Sequence, residues 1–462
     1  MWSGTNLFSV LLKLMKKHSS ITLKDILLYW AGAVILLLVA SAAHISFIAI
    51  FVFFTFAAYL KILSLRSEEK KYNFLNLGFL FLLAVSVAYF LKEHTKFSPY
   101  FFPLAAFAML VTLLYRDLEL SFIFSVALSI FVGMIYGGSL FLVTLLMIGG
   151  VVASLFVWQA RRRSKIITAG FFVGVAQMFF VWTVYHFGYY QSFFMFPFIN
   201  GIISAFLVAG LLPVFEFLFK VVTNISLLEL ADFNHPLLKR LVLEAPGTYH
   251  HSLMVGNLAE IASEVVGANS LLSRVGAYYH DIGKLDKPEY FSENQDKYSS
   301  KHDNLSASMS KLIIMDHVKM GVELAKNNRL NDAIMDFITQ HHGTSLVYFF
   351  YRRALEQTDD AKDVHEEVFR YPGPKPQTKE TAIVLLADSV EAACRALDEP
   401  TAERISDMVR RIINNKFIDG QLDACDLTLR DLEKISTTFI HILVGFYHSR
   451  IDYPEHNKGE SS

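Results

Sequence analysis

The sequence predicts an all-α protein in two parts, a polytopic helical membrane domain followed by an all-helical soluble domain. Three observations lead there. The 462 residues are 53% hydrophobic and 18% charged, with 41 Phe, whereas ordinary soluble domains are about a quarter charged. The apolar residues gather before Lys220 in runs separated by short polar breaks, and charge and His return after it. In the second part strand signals are sparse. Leu227, Leu228, Leu230, Leu237, Leu238 and Leu241 recur there at spacings that make one helix face.

Apolar runs fall at 27–43, 45–63, 74–91, 100–115, 120–137, 139–158, 166–188 and 193–219, several of them near the length needed to cross a hydrocarbon core as helix. From Ile166 to Phe219 the only charged residue is Glu216, so that stretch holds two spans joined by a turn at Gly188–Ser192. The weakest runs are the first pair, joined only by Ser41–His44, and the short one at 100–115. Glu216 is expected at the inner membrane edge with its carboxylate reaching water.

Orientation follows from Lys and Arg. Lys13, Lys16, Lys17 and Lys24 precede the first run; Arg66, Lys70 and Lys71 follow the second; Arg116 follows the fourth; Arg161, Arg162, Arg163 and Lys165 follow the sixth; Lys220 follows the last. The alternate connections carry little beyond Lys92 and Lys96. About eight spans with both ends inside satisfy this asymmetry. The basic N-terminus reads as an anchor, since its apolar run starts late and lacks a small-residue cleavage site. The expected organisation is a cytoplasmic segment at 1–25, a membrane domain at 26–219, a coupling helix or linker at 220–246, a globular helical domain at 247–455 and a tail at 456–462. The net charge of -1 offers no basic field for nucleic acid. Cys394 and Cys425 are too few for a disulfide framework and read as free thiols in a reducing compartment.

Five of the 16 His sit in three places: His250–His251, His280–Asp281 and His341–His342. A lone His on a helix is usually a surface or satisfied core residue. An adjacent His-Asp pair is different, because neighbouring helix positions project about 100° apart. Such a pair can give one ligand to each of two ions, or let the Asp bridge them. Imidazole with carboxylate suits Mn, Fe or Zn, and the absence of nearby Cys argues against a structural zinc site. Asp388 lies inside the apolar run Thr381–Val390, where a carboxylate is costly without a cationic partner such as a metal.

His251, His280–Asp281 and the distant Asp388 resemble the H…HD…D signature of the HD phosphohydrolase superfamily. The segments Gly247–Ser252, His280–Lys284, Phe291–Gln295, His302–Leu305, His341–Thr344, Tyr371–Pro376 and Leu386–Ala392 are similar to the 7TM-HD family, whose PgpH-type members hydrolyse cyclic di-AMP to linear pApA in bacteria. The resemblance implies a cytoplasmic HD domain on a multi-pass bacterial cell membrane protein. It also implies two divalent ions, Mn or Fe. His251, His280, Asp281 and Asp388 would hold one; Asp281, His302, His341 and His342 would hold the other, with Asp281 bridging. His250 stands outside that set.

A two-metal site of this kind clamps a phosphate and lowers the pKa of a water between the ions, spaced about 3.5–4 Å apart. On this reading Asp281 and Lys284 are catalytic, Lys284 facing the charge that builds on phosphorus. Thr248, Tyr290, Tyr348 and Arg352 are the expected substrate contacts, with Phe291 and Tyr351 beside them. The expected partners are a cyclic dinucleotide and the bilayer, without nucleic acid; the sequence leaves a homo-oligomer or a membrane partner open. Family members commonly carry a large extracytoplasmic domain after the first span, where this chain has only Ser41–His44. Among rivals, cyclic di-GMP hydrolysis lacks its His-His-Glu…Gly-Tyr-Pro pattern after His341–His342. A non-catalytic receptor has no need of every metal ligand, and a transporter would show charge pairs within the membrane.

Overall fold

The computed structural model describes residues 74–185, 195–295, 301–357 and 364–448. The first two apolar runs lie outside these residues. Among the described residues the first part has six helices: α1 Phe74–His94, α2 Leu104–Tyr115, α3 Leu118–Ile135, α4 Leu140–Val157, α5 Ser164–Tyr185 and α6 Met195–Phe219. All but α2 are long and apolar enough to cross a membrane. With 12 residues, α2 rises about 18 Å, short of a hydrocarbon core of about 30 Å. Its weak signal has a packing cause: every residue from Leu104 to Leu114 is buried, and α2 packs against α3, α4 and α6. The run at 100–115 is therefore an enclosed central helix rather than a full-length span.

Small residues let α5 and α6 meet closely. A Cβ at Gly201 would come 2.4 Å from the Gly170 carbonyl oxygen, and one at Gly174 would come 2.8 Å from that of Phe198. Contacts of this kind hold helices together where lipid removes the hydrophobic difference. The buried polar groups find local partners. Ser121 Oγ lies 2.7 Å from both Thr112 Oγ1 and Ser154 Oγ, and Asn200 Nδ2 donates to the Tyr100 and Phe102 carbonyls at 2.9 and 3.1 Å. Glu216 is only 7% exposed, so its side chain is buried rather than open to solvent.

The second compact unit begins at Lys220. Its helices are α7 Asn224–Leu230, α8 Pro236–Glu244, α9 Pro246–Val265, α10 Ser270–Tyr279, α11 Ala307–Asn327, α12 Asp332–Gln340, α13 Tyr348–Glu356, α14 Lys379–Arg395, α15 Ala402–Ile418 and α16 Leu429–His448. Their ends carry the expected signals. Asn269, Ser306 and Asn331 cap α10, α11 and α12, and Thr378 with Thr381 forms a capping box on α14. The one extended pairing among the described residues is an isolated bridge between Leu346 and Arg370.

α14 is the spine of this unit. It packs against α9, α10, α12 and α15, and Ala382 to Ala387 are fully buried. A second core joins Leu227, Leu237 and Leu238 to Tyr279, Ile282, Ile334 and Ile338, and the Tyr279 hydroxyl donates to the Leu230 carbonyl at 2.8 Å. Residues 220–246 thus hold two helices folded onto this unit. Both cysteines are free, Cys394 buried and Cys425 half-buried.

Candidate metal centre

Five helices deliver the chemistry-bearing side chains to one buried point. His251 comes from α9, His280 and Asp281 from the end of α10, His317 from the middle of α11, His341 and His342 from the end of α12, and Asp388 from α14. Two glycines make the convergence possible. The chain after Asp281 turns through a short 3-10 segment, Ile282–Asp286, against α11. A Cβ on Gly283 would come 1.8 Å from the His317 carbonyl oxygen and 2.5 Å from the Gly321 nitrogen. Only glycine lets these two backbones approach so closely.

The side chains form two groups of four, each with ligand atoms within 4.8 Å of one another: His251, His280, Asp281 and Asp388; and Asp281, His317, His341 and His342. Asp281 belongs to both. Its Oδ2 faces His280 Nε2 at 3.2 Å and His251 Nε2 at 3.6 Å, while its Oδ1 faces His317 Nε2 at 3.4 Å and His341 Nε2 at 3.5 Å. Asp388 completes the arrangement, Oδ1 at 3.0 Å from His251 Nε2 and Oδ2 at 3.6 Å from His342 Nδ1.

The donor set fits metal ions. His280 Nε2 and both carboxylate oxygens of Asp281 are buried without a hydrogen bond, which would be costly unless another partner binds there. Lys284 Nζ lies 2.8 Å from Asp281 Oδ2 as an ion pair, but this does not satisfy the face turned toward the histidines. Three imidazoles are aimed by their own helices. The Nδ1 of His280 donates to Ala277 at 2.6 Å, that of His317 to Ile314 at 2.5 Å, and that of His341 to Phe337 and Ile338 at 3.0 Å. Each leaves Nε2 toward the centre.

Charge follows the same division. Burial alone would raise the Asp281 pKa, yet His280 and Lys284 hold it well below the carboxylate range. Burial raises and His251 and His280 lower that of Asp388, with the same net result. Burial works against the charged form of His280, but Asp281 outweighs it and pushes the pKa up to about 10. In the other group burial pushes His317 down to about 4, and burial with the neighbouring His341 pushes His342 well below the usual range.

His302 is not part of the second group; His317 takes that place. The His302 Nε2 instead lies 2.8 Å from the Tyr290 carbonyl oxygen and its ring packs 5.0 Å from that of Phe350, fastening the 301–305 segment beside α13. His302 enters the expected set only through the resemblance of the His302–Leu305 segment to the 7TM-HD family. The signal for His317 was its spacing with Gly321 and Ala325, which places it on the buried face of α11.

The residues expected to touch substrate separate. Thr248 is fully buried, its Oγ1 donating to Glu293 at 3.2 Å and accepting from Asn294 at 2.9 Å, so it ties α9 to the 292–294 turn. Tyr348 is 64% exposed, and Arg352 pairs with Glu356 at 3.2 Å along the surface of α13. Tyr290 is half-buried, its ring 5.5 Å from that of His302. Phe291 is buried against His317, ring centroids 5.7 Å apart. Tyr351 packs on Phe369 at 5.8 Å. Lys284 Nζ is held by Asp281 and, at 2.6 Å, by Glu293; burial opposes its charge, yet both carboxylates raise its pKa above the usual lysine value. Two residues escaped sequence reasoning besides His317. Tyr371 stacks on His342 at 4.3 Å, and the Glu391 carboxylate accepts from His251 Nδ1.

An all-helical domain with a buried His-Asp centre on a helical membrane unit is the architecture of a membrane-tethered HD protein. Residues 36–223 match the family described as a 7TM receptor with intracellular HD hydrolase, and residues 248–393 match the HD domain. In both parts the chain is thus similar to the 7TM-HD family. It is 41% identical over 388 residues to the cyclic-di-AMP phosphodiesterase PgpH of Bacillus subtilis, covering 80% of this chain and 54% of that protein. It is 42% identical over 324 residues to that of Listeria monocytogenes, covering 67% and 44%. The crystal structure of the L. monocytogenes PgpH HD domain with cyclic di-AMP is 49% identical, covers 47% of this chain and all of that one, and gives a TM-score of 0.45. The chain spans about half the length of the curated relatives it matches.

Proposed function

We propose that this chain is a metal-dependent phosphodiesterase that hydrolyses cyclic di-AMP to linear pApA. One observation carries the reaction class: a single buried carboxylate, Asp281, turns one oxygen to each of two donor groups. The substrate is supported by the two relatives named cyclic-di-AMP phosphodiesterases. On this reading His251, His280, Asp281 and Asp388 hold one divalent ion, and Asp281, His317, His341 and His342 hold the other, Mn or Fe suiting the imidazole-carboxylate mixture. Bound there, the ions supply a Lewis-acid clamp on phosphoryl oxygens and an acidified water.

The chain's own residues fix the geometry. Lys284, paired with Asp281 and Glu293, holds the shared carboxylate ionised and in register. Tyr371 and Phe291 press on His342 and His317 and keep bulk water from that side. Hydrolysis adds the water oxygen to phosphorus, and the ribose 3′ oxygen departs and takes up a proton. The excess of Lys and Arg on alternate connections supports a cytoplasmic HD domain, and the bacterial relatives support a bacterial cell membrane as its location. Residues 247–455 are then the catalytic domain, 220–246 the segment leading to it and 26–219 the membrane domain.

The test uses the full chain in detergent, supplied with Mn(II) or anaerobic Fe(II) and offered cyclic di-AMP or cyclic di-GMP. The expected result is pApA released from cyclic di-AMP and none by Asp281→Ala. Preferred cleavage of cyclic di-GMP would overturn the substrate. Tight binding without turnover by metal-loaded protein would make the chain a receptor.

A further inference from the structure

Four histidines of the two donor groups have their Nδ1 engaged inside the protein, and one differs in kind. His280, His317 and His341 donate to backbone carbonyls three or four residues earlier in the chain, partners that any helical histidine finds. His251 instead meets Glu391, a carboxylate 140 residues away in sequence. Glu391 is 6% exposed and sits on α14 among Val390, Ala387 and Cys394, all fully buried. An acid buried in such a face costs free energy unless a partner compensates it. Its nearest cation is Arg395, at 3.8 Å on the next turn, beyond hydrogen-bonding distance.

The spacing explains the pairing. Asp388 and Glu391 lie three residues apart and share one face of α14. His251, arriving on α9, is held between them: Nε2 lies 3.0 Å from Asp388 Oδ1, and Nδ1 donates to Glu391 Oε2. With an ion bound, the Glu391 carboxylate would hold the tautomer that carries hydrogen on Nδ1 and leave the Nε2 lone pair, on the side of Asp281 and Asp388, for the metal. It also makes the imidazole a stronger donor than one bonded to a neutral carbonyl. The same group already has two carboxylates, Asp281 and Asp388, where the His317 group has Asp281 alone.

We propose that Glu391 is the positioning residue for His251, and that through it the His251–His280–Asp281–Asp388 group becomes the tighter of two unequal metal sites. This rests on the two-metal reading above. The chain would then load in order, the His251 group first and the His317 group second, and could exist with one ion bound.

The experiment is Mn(II) titration of the full chain in detergent, followed by electron paramagnetic resonance and calorimetry, for wild type, Glu391→Gln and Arg395→Ala. Glutamine is isosteric and keeps an acceptor for Nδ1 without the charge; circular dichroism of the metal-free protein checks that the helices remain. Wild type is expected to show two classes of site. Glu391→Gln should weaken the tighter class by about 10- to 100-fold and leave the weaker class in place, whereas Arg395→Ala should change neither. Equal affinities for Glu391→Gln and wild type would overturn the inference and leave the metal centre standing. Equal weakening of both classes, or the same loss in Arg395→Ala, would reduce Glu391 to a structural role and also overturn it. Wild type that binds no Mn(II) would overturn the two-metal reading, and the inference with it.

Discussion

In the membrane unit the buried Ser121, Ser154, Thr112 and Asn200 side chains bond to one another or to helix carbonyls. In the HD unit Asp281 and His280, equally buried, leave three polar atoms without a hydrogen bond. The contrast separates two uses of buried polarity. Helices surrounded by lipid must satisfy polar groups internally, because no water or ligand will do so. The His-Asp centre holds such atoms fixed within two donor groups that could bind a metal ion. Among the described residues the membrane unit has one such atom, Gln177 Oε1, although the same side chain donates to the Leu145 carbonyl at 3.0 Å.

Removing the shared carboxylate should break this comparison most severely. Asp281→Ala leaves Lys284 facing only Glu293 and strips one ligand from each group. Turnover should fall below detection and bound metal should be lost, measured by product release and by elemental analysis. A variant that retained two ions per chain would contradict the bridging role. Protons sharpen the same point. His280, with its pKa raised to about 10 by Asp281 against the cost of burial, must lose a proton to coordinate a metal. His317, lowered to about 4 chiefly by burial, is already neutral. Metal affinity should therefore rise with pH by about tenfold per unit between pH 6 and 9, with proton release visible by calorimetry in buffers of different ionisation enthalpy. A pH-independent affinity over that range would exclude a protonated His280 in the metal-free site.

Next in size is the exchange of His302 for His317. His317→Ala should lower the metal content to one ion per chain and reduce turnover by at least about 10²-fold, a loss comparable to removal of one preorganised catalytic group. His302→Ala should retain both ions and lose only the packing of the 301–305 segment. The opposite pattern would return His302 to the centre. In the membrane unit, Gly201→Val puts side-chain carbon onto the Gly170 backbone and should cost about 1–3 kcal/mol as overpacking, read as a lower melting temperature in detergent with the HD centre still metal-competent. The smallest effect belongs to Ser154→Ala, about 0.6 kcal/mol for one intramembrane hydrogen bond. A larger loss there would mean that the Thr112–Ser121–Ser154 chain acts as a unit.

How far the sequence could be read depended on how local each signal was. Apolar runs marked the helices from α3 to α6 because burial in lipid needs nothing but apolar length. The same criterion read α2 as a span, since a helix enclosed by others is as apolar as one facing lipid. His280–Asp281 and His341–His342 were legible as pairs, and Asp388 by its incongruity within an apolar run. His317 and Glu391 were not, because each stands in an ordinary helical context and acquires its role only when α11 meets the 282–286 turn and α14 meets α9. The bonds of Thr248 to Glu293 and Asn294 have the same cause, since they form only where the 292–294 turn meets α9.

The sequence by itself determined the helical class and the division near Lys220, and it pointed to six of the seven residues that make up the two donor groups, because period, composition and adjacent His and Asp pairs are properties of neighbours in the chain. Only the tertiary structure decided that Asp281 faces both groups, that His317 and not His302 completes the second, and that Glu391 supports His251. Those assignments depend on which helices approach within about 3 Å of each other, a distance that covalent sequence does not encode and that glycines such as Gly283 and Gly321 permit only once the helices have packed.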